Sequence, residues 1–156
     1  MQISCSKDEL LLLEKIAFAA RKMQVPAYLI GGFVRDKLLQ RKTKDIDIVC
    51  IGNGIELAQQ VSNLFKEKPH VSVFKNFGTA QLKIDDVDIE FVGARKESYR
   101  QESRNPDVIP GTLEDDQNRR DLGLFYSIEL GDVQDRERCL LWPEYPMRAD
   151  RKQCDA

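Results

Sequence analysis

The sequence lacks the features of a membrane, secreted or zinc-stabilised protein. No apolar run approaches the ~18 residues that a membrane span requires, and the charged residues Lys7, Asp8 and Glu9 stand where a signal peptide would be apolar. The four cysteines are scattered and form no C-x-x-C pair, which argues against a zinc site and a disulfide framework. These absences predict a cytoplasmic protein without a membrane partner.

The sequence also has a small net charge and a single histidine. The net charge is −2, so any contact with RNA would need a local basic patch rather than a basic surface overall. His70 is the only histidine and is expected to be a surface residue in front of a strand rather than a catalyst. With 156 residues, 42% hydrophobic and 32% charged, the chain is expected to form one globular domain.

Two aspartates separated by one residue are the most informative feature present. Asp45 and Asp47 alternate with Ile46 and Ile48. In a strand, residues i and i+2 point to the same face, so the carboxylates project together while the isoleucines enter the core. Two carboxylates about 5–6 Å apart repel by roughly 3 kcal/mol at an effective dielectric of about 20. A cation between them converts this repulsion into binding, and all-oxygen ligands favour a hard ion such as Mg²⁺.

A pair of glycines precedes the aspartates. Gly31 and Gly32 follow a short apolar strand and come just before a predicted helix. Backbone N–H groups and the helix dipole would therefore approach a triphosphate closely. The guanidinium of Arg35 would donate charged hydrogen bonds to the phosphates, and Asp36 is expected to orient Arg35. The glycines alone are also typical of an ordinary turn, and the aspartates alone of a half-exposed strand, but their combination indicates nucleotide chemistry.

A later segment repeats the alternation of acidic and apolar residues. Asp88 and Glu90 would share one face of a strand. If that strand lies beside Asp45 and Asp47, Glu90 would complete a three-carboxylate cluster suited to two Mg²⁺ ions about 3.5–4 Å apart. Asp88 is interpreted instead as an exposed residue on the solvated face of a hairpin.

The order of predicted elements indicates an α/β (α+β) fold with a mixed β-sheet and flanking helices. A tight turn at Asp85-Asp86 requires an antiparallel hairpin, which is why the sheet must be mixed. Residues 95–121 are rich in charge, proline and glycine and are predicted to form a surface loop. Residues 124–130 would form a strand or a helical turn. The predicted helices are 7–24, 33–40 and one that runs from residue 55 up to the break at Lys68-Pro69. The predicted strands are 27–30, 45–51, 71–75, 79–84 and 87–92.

Several motifs together resemble a known family. Their order is similar to that in class II CCA-adding tRNA nucleotidyltransferases and bacterial poly(A) polymerases, which belong to the polymerase β-like nucleotidyltransferase superfamily. The matching segments are residues 28–36 with 44–48, residues 89–95, and residues 111–116 followed by Arg119-Arg120-Asp121.

The resemblance implies a polymerase β-like nucleotidyltransferase head and a role for each motif. In such a head the glycine motif holds the triphosphate, the aspartates bind Mg²⁺, and the second motif recognises the ribose. The implied catalytic residues are Asp45, Asp47 and Glu90, with the metal at Asp45 and Asp47. The implied nucleotide-binding residues are Gly31, Gly32, Arg35, Arg119, Arg120 and Asp121.

The resemblance also implies a reaction. AMP or CMP would be transferred from ATP or CTP to an RNA 3′ end, expected to be that of a tRNA, with release of pyrophosphate. One Mg²⁺ would lower the pKa of the attacking hydroxyl and a second would hold the triphosphate, so no protein nucleophile is required. Two alternatives remain open, namely a degenerate nucleotide-binding module without activity and a minimal nucleotidyltransferase that acts on a non-tRNA acceptor. The sequence does not separate CCA addition from poly(A) addition and does not indicate an oligomeric state.

The resemblance stops after Asp121. In the family, the Arg-Arg-Asp motif opens a helix that reads roughly Phe-Thr-Ile-Asn-Ala, whereas residues 122–126 here read Leu-Gly-Leu-Phe-Tyr. We therefore expect a catalytic head over residues 1–130 and an irregular, disordered tail over residues 131–156. The neck, body and tail domains of the family are expected to be absent, as in a truncated or out-of-frame product of a longer gene.

Overall fold

The structure, a computed structural model, describes residues 3–98, 107–120 and 125–127. Asp121 and the predicted tail over 131–156 lie outside these residues. Within them, no helix has the length and apolarity needed to cross a bilayer. The helices are α1 (Lys7–Met23), α2 (Gly31–Leu38), α3 (Gly54–Asn63) and α4 (Leu113–Arg119). The strands are β1 (Ala27–Ile30), β2 (Asp45–Cys50), β3 (Val71–Phe74), β4 (Thr79–Ile84), β5 (Val87–Gly93), β6 (Arg95–Ser98), β7 (Asp107–Pro110) and β8 (Phe125–Ser127).

Helix α1 begins and ends at residues whose side chains and backbone favour those positions. Ser6 accepts a hydrogen bond from the backbone N–H of Glu9, and the Glu9 carboxylate accepts one from Ser6, which forms a capping box. At the other end Gln24 adopts a left-handed conformation and its N–H closes the last turn. Both bounds agree with the sequence prediction.

Six strands form one mixed sheet in the order β3-β4-β5-β2-β1-β8, which confirms the predicted fold class. Strands β2 and β5 are parallel, and every other neighbouring pair in this sheet is antiparallel. The two-residue turn at Asp85-Asp86 joins Ile84 to Val87, as predicted. The register places Asp47 opposite Glu90 of β5 on one side and opposite Ile30 of β1 on the other.

The two faces of the sheet have different roles. Ile46 and Ile48 are fully buried in the main core, which contains side chains from α1, α2 and α3. The opposite face carries Asp45, Asp47 and Val49, in accord with the alternation in the sequence. Helix α4 begins over this second face, where Leu113 packs against a small cluster of Ile30, Val49 and Ala94. The polar residues of the sheet are therefore separated from the main core.

The prediction of a loop over residues 95–121 is wrong for the part that the structure describes. Strands β6 and β7 pair as an antiparallel ribbon, and α4 follows them. Gly111 N–H donates to the carbonyl of Ala94 at 2.9 Å, and Thr112 forms a capping box with Asp115. The charged composition concealed these elements because their stability comes from caps and ion pairs rather than from an apolar face.

Helix α2 also differs from its prediction, because it begins at Gly31 rather than at residue 33. Gly31 has φ of +67°, a conformation that glycine adopts without steric cost. The chain therefore turns directly from β1 into the helix. At the other end of the sheet, residues Phe125–Ser127 form β8 antiparallel to β1, which confirms the strand alternative for this segment.

Candidate active site

Asp45 and Asp47 lie on the sheet face that is opposite the main core. Asp45 is exposed and Asp47 is half-buried. Burial raises the pKa of Asp47, and the nearby charges of Glu90 and Asp45 raise it further, while Arg120 opposes them. A negative charge at Asp47 is therefore disfavoured in the protein alone, and a bound cation would relieve that cost.

Glu90 is the direct neighbour of Asp47 in the parallel pair β2–β5. The two acidic strands are thus neighbours, which is the condition on which the suggested role of Glu90 depends. No group of three or more acidic, histidine or cysteine side chains within the described residues is arranged to hold a metal ion. The role of Glu90 as a third ligand accordingly stays a prediction. Asp88 is exposed and lies 3.6 Å from the Lys83 ammonium, as expected for a residue on a solvated hairpin face.

The glycine pair lies directly beside the aspartates. A Cβ atom added to Gly31 would stand 3.1 Å from Oδ2 of Asp47, which is tighter than nine in ten such contacts in proteins. A Cβ atom at Gly32 would stand 3.5 Å from Nη2 of Arg35, an ordinary contact. Because Gly31 has no side chain, the start of α2 approaches the Asp47 carboxylate closely.

Arg35 extends from α2 and is held by its neighbour in the sequence. Its Nε donates to Oδ1 of Asp36 at 2.9 Å, and its Nη2 donates to Oδ2 at 3.1 Å. This bidentate pair raises the pKa of Arg35 and lowers the pKa of Asp36. The predicted orienting role of Asp36 agrees with this geometry. The Arg35 side chain is 47% exposed, so the rest of its guanidinium is accessible to an anion.

Helix α2 is fixed to α1 by an ion pair that the sequence did not reveal. Nζ of Lys37 donates to both carboxylate oxygens of Glu9, at 2.5 and 2.7 Å, and the two side chains are only 12% and 15% exposed. The same ammonium lies 5.3 Å from the centre of the Phe33 ring. These contacts hold the helix that carries the glycine pair and Arg35.

A second group of charged residues surrounds Asp116, which is fully buried. Oδ1 of Asp116 accepts from Nη2 of Arg119 at 2.9 Å, and Oδ2 accepts from Nε of Arg120. Oδ1 also accepts from the backbone N–H of Arg95 at 3.2 Å. Burial alone would raise the pKa of Asp116, but the hydrogen bonds from Arg120 and Arg119 outweigh it and lower that pKa. We refer to Arg95, Arg119 and Arg120 as the arginine triad.

The arginine triad is electrostatically connected to the carboxylates of the sheet. Arg120 interacts with Asp47, and Arg95 interacts with Glu90. The predicted positions Arg119 and Arg120 are thus brought to the same region as Asp47. Asp121, the third residue of that motif, lies outside the described residues. The site therefore contains a carboxylate part and a guanidinium part side by side.

The sequence analysis assigns no role to Arg95 or Asp116, which are the last residues of the matching segments 89–95 and 111–116. A signal for Asp116 was available, since it precedes Arg119 and Arg120 by three and four residues, the spacing at which opposite charges meet on a helix. No comparable signal exists for Arg95, because its approach to α4 depends on the pairing of β6 with β7.

Comparison with known proteins places these features in a family. The sequence profile of the poly A polymerase head domain matches residues 27–138, more than half of the chain. The chain is 43% identical over 95 residues to the A-adding tRNA nucleotidyltransferase of Aquifex aeolicus, covering 61% of this chain and 11% of that protein. It is also 43% identical over 100 residues to the CC-adding tRNA nucleotidyltransferase of Deinococcus radiodurans, covering 62% of this chain and 25% of that protein.

Solved structures show the same relationship. A tRNA nucleotidyltransferase complexed with a primer tRNA and an incoming ATP analog superposes with a TM-score of 0.61 at 37% identity, covering 75% of this chain and 32% of that one. An apo CCA-adding enzyme superposes with a TM-score of 0.70 at 28% identity, covering 83% and 33% of the two chains. This chain therefore spans a third or less of the length of these relatives. By its profile, its motifs and its fold, the chain belongs to the poly A polymerase head domain family, that of the class II CCA-adding enzymes.

Proposed function

We propose that this chain is the catalytic head of an RNA nucleotidyltransferase that adds AMP or CMP from ATP or CTP to an RNA 3′ end, with tRNA as the acceptor. The observation that carries the proposal is the position of Asp47. Its carboxylate lies against Gly31 and interacts with Arg120, so a cation site adjoins a phosphate site. A nucleoside triphosphate with a bound metal ion carries both of the matching charges.

Divalent metal ions serve catalysis in nucleotidyltransferases of this family. We propose Mg²⁺ as the ion and Asp45 and Asp47 as the residues that would hold it. The donor set fits, because carboxylate oxygens are hard ligands and because burial disfavours the negative charge of Asp47, a cost that a bound cation would offset. When bound, such an ion polarises phosphoryl oxygens and favours ionisation of an attacking hydroxyl.

The remaining site residues would bind and orient the nucleotide. The backbone at Gly31 and Gly32 opens α2, so its N–H groups and dipole would favour the triphosphate. Arg35, Arg119 and Arg120 would contact phosphate oxygens through their guanidinium groups. Asp121 would accept a hydrogen bond from the ribose 2′-hydroxyl. Glu90 would support the carboxylate pair from the neighbouring strand.

The proposed chemistry transfers one group and needs no covalent enzyme intermediate. The oxygen of an RNA 3′-hydroxyl forms a bond to the α-phosphorus, and the bond from that phosphorus to the bridging oxygen of the β-phosphate breaks. The hydroxyl proton is lost to solvent and pyrophosphate leaves. The protein contributes position and charge, which account for most of the catalysis of phosphoryl-type transfers.

A transfer assay tests this proposal. The chain is incubated with Mg²⁺, labelled ATP or CTP, and tRNA that lacks its 3′ end. We expect labelled RNA with the unmutated chain and with the control Asp85→Asn, whose side chain is exposed in the hairpin turn between β4 and β5. Asp47→Asn and chelation of the metal should abolish labelling.

Other results of the same assay would support the alternatives. Metal-dependent binding of ATP without transfer to any acceptor would identify a nucleotide-binding module. Transfer to a small molecule or protein but not to tRNA would identify a minimal nucleotidyltransferase with another acceptor. Absence of any metal-dependent nucleotide binding would contradict the proposal.

A further inference from the structure

The arginine triad has more donors than Asp116 can satisfy. The two oxygens of Asp116 already accept from the backbone of Arg95 and from the side chains of Arg119 and Arg120. Arg95 has one further acceptor, because its Nη1 donates a hydrogen bond to the carbonyl oxygen of Phe77 at 3.2 Å. Within the described part of the chain, Nε of Arg95, Nε of Arg119 and Nη2 of Arg120 are buried and have no hydrogen-bond partner. A buried donor without an acceptor is unfavourable, so three at one place point to an anion.

The charges of the cluster lead to the same conclusion. The guanidinium groups of Arg119 and Arg120 share the one buried carboxylate of Asp116, and the guanidinium of Arg95 stands near both of them. Burial lowers the pKa of Arg95, and the like charges of Arg119 and Arg120 lower it further. The three cations thus repel one another where they stand, and a multiply charged anion would relieve that repulsion.

The location identifies which anion fits. Arg120 interacts with Asp47 and Arg95 with Glu90, so the triad borders the carboxylates that would hold the metal. The α-phosphate must lie at the metal for transfer to occur. The anion that can reach the triad from that point is the diphosphate end of the same nucleotide, whose oxygens match several guanidinium donors at once.

We infer that Asp116 is a positioning residue, and that Arg95 is a third phosphate-binding residue beside Arg119 and Arg120. Asp116 binds one edge of the Arg119 and Arg120 side chains and the backbone of Arg95, which directs the remaining donors towards the β- and γ-phosphates. The triad then retains the pyrophosphate during transfer. This inference rests on the proposed function and extends it to two residues that the sequence analysis left without a role.

Binding of three ligands to matched variants tests the inference. The ligands are ATP with Mg²⁺, inorganic pyrophosphate with Mg²⁺, and AMP, which lacks the diphosphate. Arg95→Lys keeps the charge but loses the planar fork of donors. We expect this variant to weaken the binding of ATP and of pyrophosphate by about tenfold, the factor that corresponds to one charge-assisted hydrogen bond. The binding of AMP should change by less than about twofold. Arg21→Lys, at an exposed position on α1, should leave all three ligands unaffected.

Asp116→Asn tests the positioning role, because asparagine has nearly the same shape but cannot hold two guanidinium groups by charge. It should weaken the binding of ATP and pyrophosphate but not that of AMP, and it should raise KM for ATP more than it lowers kcat. Equal weakening of ATP and AMP would instead show a general structural defect and overturn the positioning role. If Asp116→Asn does not fold, the binding of ATP and pyrophosphate to Arg95→Lys and Arg95→Gln tests the inference instead. Both variants should bind these ligands more weakly than the unmutated chain, and Arg95→Gln, which also loses the charge, should bind them most weakly. Normal binding by both variants would overturn the inference.

Failure of the inference is distinguishable from failure of the proposed function. If the unmutated chain binds ATP in a manner that requires metal and Asp47, while Arg95→Lys binds ATP and pyrophosphate normally, the inference is overturned and the function stands. If the unmutated chain does not bind ATP at all, the proposed function fails, and the inference fails with it.

Discussion

Gly31 and Asp47 are in direct apposition, and neither position can change without affecting the other. The left-handed φ of +67° at Gly31 brings the start of α2 against the carboxylate, where a Cβ atom would lie 3.1 Å from Oδ2. Gly31 and Asp47 are 16 positions apart in the sequence, and their contact joins the glycine motif and the aspartate motif into one structural unit. Stability and ligand binding are both expected to depend on this contact.

Gly31→Ala should destabilise the protein and impair metal-dependent nucleotide binding. A non-glycine residue in the left-handed region costs about 1–2 kcal/mol, and the added methyl group would displace the Asp47 carboxylate. Gly32→Ala is the matched control, because its Cβ atom has room and an alanine within a helix is favourable by up to ~1 kcal/mol. Chemical unfolding of both variants should give shifts of opposite sign. Equal stability of the two would contradict the close contact at Gly31.

Asp47→Asn should increase the free energy of unfolding at pH 7 in the absence of metal. Because the pKa of Asp47 is raised in the folded protein, its ionised form destabilises the fold, and the penalty is full above that pKa. The gain comes first from relief of the cost of burying the carboxylate and second from relief of its repulsion by Glu90. It should shrink as the pH falls through the raised pKa and should vanish below the ordinary value of 3.8. Unfolding curves from pH 7 to pH 3.5 measure this, and a loss of stability at pH 7 would refute the electrostatic explanation.

Asp116→Ala should destabilise the protein by about 3 kcal/mol, because it leaves buried guanidinium groups without their acceptor. Asp116→Asn, which keeps a hydrogen-bond acceptor, should cost less. The pKa of Asp116 is lowered in the folded protein, so its stabilising effect is present above the ordinary value of 3.8 and is lost as the pH falls through the lowered pKa. Asp116→Asn should therefore be less stable than the unmutated chain at pH 7, and this deficit should diminish as the pH falls. For Asp47→Asn the difference at pH 7 has the opposite sign. Unfolding free energies unaffected by either substitution would show that the ion pairs contribute nothing.

Lys37→Met should reduce stability by about 1–3 kcal/mol, since it leaves the partly buried carboxylate of Glu9 without its cation. Burial raises the pKa of Glu9, but the hydrogen bonds from Lys37 and Ser6 reverse this and lower it. Lys66→Met, at an exposed position, is the control and should have little effect. Thermal or chemical unfolding at pH 7 distinguishes the two variants, and equal midpoints would mean that the pair does not fix α2 to α1.

The sequence predicted well those elements that local patterns specify. The capping box at Ser6 and Glu9 located α1, and the alternation of Asp45 and Asp47 with isoleucines identified both faces of β2. In each case the information lies within a few residues of the chain.

The sequence failed where stability depends on contacts between distant segments. Residues after Arg95 were expected to be a loop, because their charges resemble those of a solvated surface. In the structure Asp116 is buried among these charges and pairs with them, so the polar composition conceals an ordered segment. Pairing of a buried carboxylate with several arginines depends on tertiary structure, and spacing alone reveals only its helical part.

The most direct test of the account is calorimetric titration of ATP into this chain with and without Mg²⁺, beside the double variant Asp45→Asn/Asp47→Asn. We predict that Mg²⁺ strengthens binding to the unmutated chain by at least about tenfold, and that the double variant shows no dependence on the metal. Asp85→Asn should behave as the unmutated chain does. ATP binding that is independent of Mg²⁺ in the unmutated chain, or that keeps its metal dependence in the double variant, would contradict the assignment of this face of the sheet as the nucleotide and metal site.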